Sequence, residues 1–264
     1  MTDQNHIRSE NAPFIWHEIR GNAGPKVLLL HGWGCDHRTM APLAGDLEKD
    51  FTVLSVDFPG HGQSPEPPEP WGVGEYAEAL RALLTRTEFF PASVVGHSFG
   101  CRVAARLAAT HPDYVRKMVF TGAAGLRAPE SPEAAARKAH YQRLKKKAQA
   151  LEKIPGLRAL GGHFEEKLRQ KYGSRDYLAL NENMRKTFVK IVNEDLSPFY
   201  PRIAASTLLI WGDADTETPL WMGQKMESLI PDAGLVILEG GTHFAFLEQP
   251  QRFNTIVHHF LTED

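Results

Sequence analysis

The sequence has few cysteines, little net charge and no long hydrophobic run. Cys35 and Cys101 are its only two cysteines, which excludes a disulfide-rich scaffold and a zinc cluster built on cysteine ligands. The formal net charge of −2 at pH 7 does not indicate a nucleic-acid partner. No apolar run approaches the ~18 residues of a transmembrane helix, and residues 1–11 lack the apolar core of a signal peptide. These absences predict a cytoplasmic protein with neither a membrane nor a nucleic-acid partner.

Short apolar segments alternate with amphipathic ones along most of the 264 residues. Such alternation predicts an α/β fold, with parallel strand pairing and a mostly parallel twisted sheet flanked by helices. Ligands of such sheets bind at the carboxyl ends of the strands. The predicted strands are 14–20, 27–30, 51–56, a central strand around 94–95, 114–121, 207–211 and 234–238. The predicted helices are 36–47, 73–87, 101–109, 218–230 and 250–261.

The central strand runs into the segment Gly96-His97-Ser98-Phe99-Gly100, and an alanine-rich helix follows. In a G-x-S-x-G turn the serine has strained backbone angles, so both glycines must be small for strand and helix to pass closely. The strain lifts the serine oxygen clear of the sheet, at the positive end of the new helix. We therefore expect Ser98 to be a nucleophile.

Two further reactive side chains follow later strands, Asp215 after 207–211 and His243 after 234–238. A serine hydroxyl needs a base, and His243 would accept its proton and pass it to the leaving group. Asp215 would hold the imidazole tautomer and stabilise the imidazolium. Asp213 is the competing acid.

In these features the chain resembles the α/β-hydrolase-fold serine hydrolases with a helical cap. The resemblance spans about residues 27–262 and rests on five segments in order, at 31–34, 57–64, 96–100, 211–219 and 241–243. It implies a catalytic triad of Ser98, Asp215 and His243, with Asp215 favoured over Asp213 by its spacing from Trp211. It also implies an oxyanion hole made by the backbone N–H groups of Trp33 and Phe99.

Three other histidines lie in the segments that carry the resemblance. We expect His31 and His61 to tie down the loop backbone, because buried polar groups in such loops usually bond to it. We expect His97 to pack beside Ser98 rather than to transfer protons. The histidines show no metal-ligand spacing, and we expect neither a metal nor a cofactor.

No strand is predicted between residues 126 and 202, where helices are expected at 131–152, 164–172 and 175–191. The predicted domains are therefore a core of residues 1–125 and 203–264 and a helical cap of residues 126–202. Lys and Arg outnumber Asp and Glu in this cap. Its basic run at 143–147 is either a solvated helix face or a docking surface for an acidic carrier protein.

The leading functional hypothesis is a carboxylic-ester hydrolase that forms an acyl-enzyme and takes small esters with an apolar acyl part. The basic cap and His31-Gly32-Trp33-Gly34 are similar to those of pimeloyl-acyl-carrier-protein methyl ester esterases, which receive an acidic carrier protein. A second hypothesis is a carbon–carbon hydrolase of ring-fission products, although Phe244 follows His243 where that family has Trp. The non-enzymatic hypothesis is a ligand receptor or signalling protein on the same fold.

Overall fold

The structure is a computed structural model that describes residues 14–21, 24–127, 131–172 and 175–263. It divides the chain into two compact units, one of Met1–Leu126 with Val189–Asp264 and one of Arg127–Phe188. The polar segment 1–11, for which no signal peptide is predicted, lies outside the described residues. None of the described helices has both the length and the apolar character that crossing a bilayer requires.

Seven strands in the described residues form one sheet of order β1-β3-β2-β4-β5-β6-β7. They are β1 (His17–Arg20), β2 (Lys26–Leu30), β3 (Thr52–Val56), β4 (Ala92–His97), β5 (Val115–Thr121), β6 (Ser206–Gly212) and β7 (Ala233–Leu238). From β3 to β7 every neighbouring pair is parallel, as predicted. Strand β1 runs antiparallel on β3, which an edge strand can do without a crossover connection.

In the part of the first unit that the structure describes, six α-helices accompany this sheet. They are α1 (His37–Leu47), α2 (Val73–Arg86), α3 (Phe99–Thr110), α8 (Trp221–Leu229), α9 (Ala245–Glu248) and α10 (Pro250–Thr262). Asp36 caps α1 as a turn-forming acid should, since its side chain accepts the N–H of Arg38. The short helix α9, directly after His243, was not predicted.

Both faces of the sheet are buried, because successive strand residues point to opposite sides. Leu28, Leu30 and Val94 share one apolar cluster with α2 and α3. Leu29 and Val95 belong to the cluster on the other side, with α1 and α10. The strands are therefore continuous hydrophobic segments. The polar side chains that could take part in chemistry lie at the ends of the strands.

The second unit is helical, as predicted for this part of the chain. Its helices are α4 (Pro132–Glu152), α5 (Arg158–Tyr172), α6 (Arg175–Ala179) and α7 (Glu182–Asn193), the last of which runs on into the first unit. The predicted single helix over 175–191 is wrong, because the helix is interrupted between α6 and α7. The side chain of Asn181 caps α7 by accepting the N–H of Met184 (3.0 Å). Helix α5 also begins six residues earlier than predicted, at Arg158.

The end of the helical unit lies at residue 188, whereas the sequence predicts a cap that extends to residue 202. The segment 189–202 packs with the α/β core instead. Leu196 donates its N–H to the carbonyl of Gly125 (2.9 Å), and the side chains of Ile191 and Tyr200 are buried in the core. Tyr200 and the neighbouring Phe199 therefore belong to the first unit. The assignment of the helical unit as a substrate cap stays a prediction.

The tight crossing of β4, α3 and β2 predicts a large effect of one methyl group. A Cβ at Gly100 would overlap the backbone carbonyl of Leu30, so Gly100→Ala should lower the free energy of unfolding by about 1–3 kcal/mol. Gly45 lies inside α1 with open space around it, and Gly45→Ala should raise stability by up to ~1 kcal/mol. Urea unfolding of both variants tests this, and equal effects would contradict the packing described.

Candidate active site

Ser98 occupies a strained turn between β4 and α3. Its backbone has φ 49° and ψ −107°, a conformation that non-glycine residues rarely adopt. Gly96 stands against the first turn of α3, where a Cβ would lie 3.1 Å from the N atom of Cys101. The predicted need for small residues on both sides of Ser98 is met here, since Gly100 abuts β2 as described above.

Two neighbouring chain segments hold this turn in place. The N–H of Ser98 donates to the carbonyl of Thr121 at the end of β5 (3.1 Å), and the N–H of Ala124 donates to the carbonyl of Ser98 (3.3 Å). On the other side, a Cβ at Gly32 would lie 3.4 Å from the Cβ of Ser98. The loops after β2 and β5 therefore enclose Ser98, which is itself half-buried.

His243 and Asp215 form a hydrogen bond at the same edge of the sheet, with 2.8 Å between His243 Nδ1 and Asp215 Oδ2. Asp215 also accepts the N–H groups of Glu217 and Thr218 and the hydroxyl of Thr218, at 2.8–2.9 Å. Burial disfavours the charge of Asp215, but the hydrogen bonds from His243 and Thr218 outweigh it, so the pKa lies below its usual value. An ionised Asp215 fixes the proton on Nδ1 and leaves Nε2 as the basic nitrogen.

The end of β5 also brings His243 near Ser98. Gly122, next to Thr121, has φ +52°, and a Cβ there would lie 3.0 Å from His243 Nδ1. His97, next to Ser98, has its ring centroid 4.7 Å from that of His243. The hydrogen-bonded pair of His243 and Asp215 and the turn that carries Ser98 therefore lie at the same edge of the sheet, and their action as a triad stays a prediction.

His97 is buried behind this arrangement. Its Nδ1–H donates to the carbonyl of Thr121 (3.2 Å). Burial, together with repulsion from a charged His243, lowers the pKa of His97 to about 3. The ring is therefore neutral at physiological pH and acts as apolar packing for His243.

The loop after β2 is tied down by His31. Its Nδ1–H donates to the carbonyl of Gly32 (2.7 Å), and its Nε2 accepts the N–H of Phe58 (3.0 Å). Burial and the nearby His61 lower the pKa of His31 to about 4, so it bonds as a neutral imidazole. His31 thus joins the loops after β2 and β3, which is the structural role predicted for it.

Trp33 and Phe99, the predicted oxyanion residues, lie side by side. Their rings make an edge contact at 5.3 Å, and the ring of His61 lies 4.7 Å from that of Trp33. Phe99 is the first residue of α3, so its N–H has no partner within the helix. The rings of Trp33 and Phe99 therefore pack against each other, and Phe99 directly follows Ser98 in the chain.

Asp213, the competing acid, points away from the imidazole. It is exposed and accepts the N–H of Gly240 (2.7 Å). Asp213 thus braces the turn before His243, whereas Asp215 contacts the imidazole directly.

Two residues of the site were not found from the sequence. Thr218 donates to Asp215, and Glu217 Oε2 lies 3.6 Å from His243 Nε2. The spacing Asp-x-x-Thr in the sequence could have indicated Thr218, because a carboxylate commonly accepts N–H groups two and three residues later. The direction of the Glu217 side chain had no signal in the sequence.

Among the described residues, Asp36, His37 and Asp57 form a cluster whose side chains could ligate a metal ion. Its ligand atoms already have partners. Asp57 accepts both the N–H and the ring N–H of His37, and Asp36 pairs with Arg38. We assign no metal to it.

The comparisons with known proteins agree with this geometry. A family model described as the alpha/beta hydrolase family matches residues 27–256. The chain belongs to the alpha/beta hydrolase family. A pimeloyl-[acyl-carrier protein] methyl ester esterase of Chromobacterium violaceum is 32% identical over 237 residues, covering 87% of this chain and 91% of that protein. One from Neisseria meningitidis serogroup C is 28% identical over 254 residues, covering 91% and 94%.

Among solved structures, the enol-lactonase of Burkholderia xenovorans LB400 has a TM-score of 0.73 and 25% identity. The match covers 97% of this chain and 99% of that one. The predicted α/β-hydrolase fold is thereby confirmed, and the family membership makes this protein a hydrolase.

The buried neutral histidines predict how stability depends on pH. His97 is neutral when folded and takes up a proton near pH 6.5 when unfolded, so stability falls as pH drops from about 6.5 toward 3. One such group contributes a slope of up to about 1.4 kcal/mol per pH unit. We expect His97→Gln to reduce the slope of the free energy of unfolding between pH 6 and 4, measured in urea.

The matched control is His163→Gln, because His163 is exposed on the helical unit and should leave that slope as in the wild type. Equal slopes in all three proteins would show that His97 is protonated in the folded state.

Proposed function

We propose that the protein is a serine carboxylesterase that works through an acyl-enzyme. The observation that carries the proposal is the Asp215–His243 hydrogen bond, formed at the strand ends where Ser98 stands in its strained turn. An imidazole oriented by a carboxylate near a serine hydroxyl is the arrangement that activates a hydroxyl nucleophile.

In the proposed reaction Ser98 Oγ attacks the ester carbonyl while His243 Nε2 takes its proton. Collapse of the tetrahedral intermediate expels the alcohol, which receives that proton from Nε2. Water then attacks the acyl-enzyme with His243 again as base. Asp215 remains ionised throughout and stabilises the imidazolium, which agrees with the lowered pKa of its carboxyl group.

The oxyanion of each intermediate would be held by the backbone N–H groups of Trp33 and Phe99. Support comes from Trp33 following Gly32, which lies against Ser98 in the loop after β2, and from Phe99 forming the start of α3. The amino end of α3 adds the positive end of its dipole. One such donor commonly contributes ~3 kcal/mol to transition-state stabilisation.

The first test is steady-state hydrolysis of p-nitrophenyl esters of increasing chain length. Ser98→Ala should abolish turnover, and Asp215→Asn should lower kcat by roughly 10⁴-fold, because the wrong imidazole tautomer is then favoured. Asp213→Asn is the matched control for the loss of one carboxylate in the same loop, and we expect it to cost far less.

Activity that survives in Ser98→Ala would refute the nucleophile assignment. If a folded wild type hydrolyses a coloured ring-fission dienoate and no ester, the carbon–carbon hydrolase alternative holds. If it binds a ligand without turnover, the receptor alternative holds.

A narrower substrate is favoured by the relatives and by the charge of α4. Two relatives are named as methyl ester esterases of a carrier-linked pimeloyl chain. In this chain Arg143, Lys146 and Lys147 are exposed on α4, and their spacing of three and four residues places them on one side of the helix. We propose that this basic side of α4 receives an acidic carrier protein and that the helical unit is the substrate cap.

Charge reversal tests the carrier proposal. Arg143→Glu with Lys147→Glu should lower kcat/KM for a methyl ester carried on acyl-carrier protein by about tenfold, since steering by opposite charge is lost. The same ester on a short free thiol should be hydrolysed as by the wild type. Lys49→Glu with Lys225→Glu, two exposed lysines of the other unit, changes the net charge by the same amount and is the control. Equal losses on both substrates would contradict carrier docking.

A further inference from the structure

Glu217 brings a second carboxylate to His243. Its Oε2 lies 3.6 Å from Nε2, the ring nitrogen opposite the one that Asp215 binds. The side chain of Asp215 has no exposed surface, whereas that of Glu217 is 66% exposed. The proposed mechanism uses the charge of Asp215 and has no role for that of Glu217.

The backbone of Glu217 is fixed by the loop that closes around Asp215. The N–H groups of Glu217 and Thr218 both donate to Asp215 Oδ1, each at 2.9 Å. The ring nitrogen of Trp211 anchors the far side of this loop by donating to the carbonyl of Thr218 (2.7 Å). The carboxylate of Glu217 is thus held at the end of a rigid turn, close to the reacting nitrogen.

The alcohol part of the substrate must pass close to this carboxylate. In the proposed reaction Nε2 protonates the leaving oxygen, which requires a distance of about 3 Å between them. The leaving oxygen then lies within about 7 Å of Glu217 Oε2, less than the Debye length of ~10 Å at 0.1 M salt. The acyl part is attached to Ser98, so the group that the carboxylate senses is the alcohol.

Two carboxylates flank the imidazole of His243. Asp215 Oδ2 lies 2.8 Å from Nδ1, and Glu217 Oε2 lies 3.6 Å from Nε2. The neighbouring His97 is buried and neutral. A substrate in place therefore has the carboxylate of Glu217 beside its leaving group, on the exposed side of the ring.

We propose that Glu217 selects esters by the charge of their alcohol part, so that cationic alcohols are favoured over neutral ones and anionic alcohols are rejected. The inference rests on the proposed serine-esterase function and goes beyond it by naming a residue that determines specificity. Glu217 exchanges no proton in this proposal, and its effect is electrostatic.

The experiment uses three butyrate esters of similar shape and different charge. They are butyrylcholine, its uncharged isostere neohexyl butyrate, and the anionic butyrate ester of isethionate. Hydrolysis is followed by acid release in a pH-stat at low ionic strength. Glu217→Gln should lower the ratio of kcat/KM for the cationic over the anionic ester by about tenfold, with the neutral ester between them.

Two controls separate selection by charge from a structural effect. Glu239→Gln removes the same unit charge from an exposed position just after β7, and it should leave the ratio as in the wild type. Raising the salt to about 1 M should reduce the preference of the wild type but not that of Glu217→Gln.

An unchanged ratio in Glu217→Gln, or an equal loss on all three esters, would overturn the inference while leaving the esterase proposal intact. Absence of Ser98-dependent turnover on all three esters would overturn the proposed function and the inference together.

Discussion

The backbone of Ser98 is held in a conformation that non-glycine residues avoid, and the rest of the site depends on this constraint. A positive φ at a serine is unfavourable on its own, so neighbouring segments must hold it. The N–H of Ser98 is bound by β5, its carbonyl by the segment after β5, and Gly32 and Gly100 let other backbones approach closely. The same contacts that hold the turn also bring the loops that carry the other functional groups to it.

The charge of each buried group in the site follows from the kind of hydrogen-bond partner that it has. Asp215 is buried with hydrogen bonds from His243, the Thr218 hydroxyl and two backbone N–H groups, and it keeps its charge. His31 and His97 are buried with only backbone partners, and their imidazoles are neutral. A fixed negative charge therefore lies on the Nδ1 side of the His243 ring.

The two carboxylates near His243 differ by their solvent exposure. Asp215 lies behind the ring, where its charge acts on the imidazole. Glu217 lies at the open side, where its charge acts on whatever approaches Nε2. In the proposed mechanism, one loop of four residues separates support of the base from discrimination between substrates, because the side chain of Asp215 is buried and that of Glu217 is exposed.

The sequence by itself determined the fold and the candidate triad. The apolar segments are continuous because the sheet is buried on both faces, and Gly96 and Gly100 mark a crossing that tolerates no side chain. The sequence could not determine where α7 breaks or that residues 189–202 pack with the core, because both depend on contacts such as Leu196 with Gly125. Nor could it determine the direction of the Glu217 side chain. Glu217 lies two positions from Asp215 in the chain. Its distance to His243 is decided only when β6 and β7 pair and bring their two loops together. The direction of a side chain depends on this tertiary packing and not on its place in the sequence.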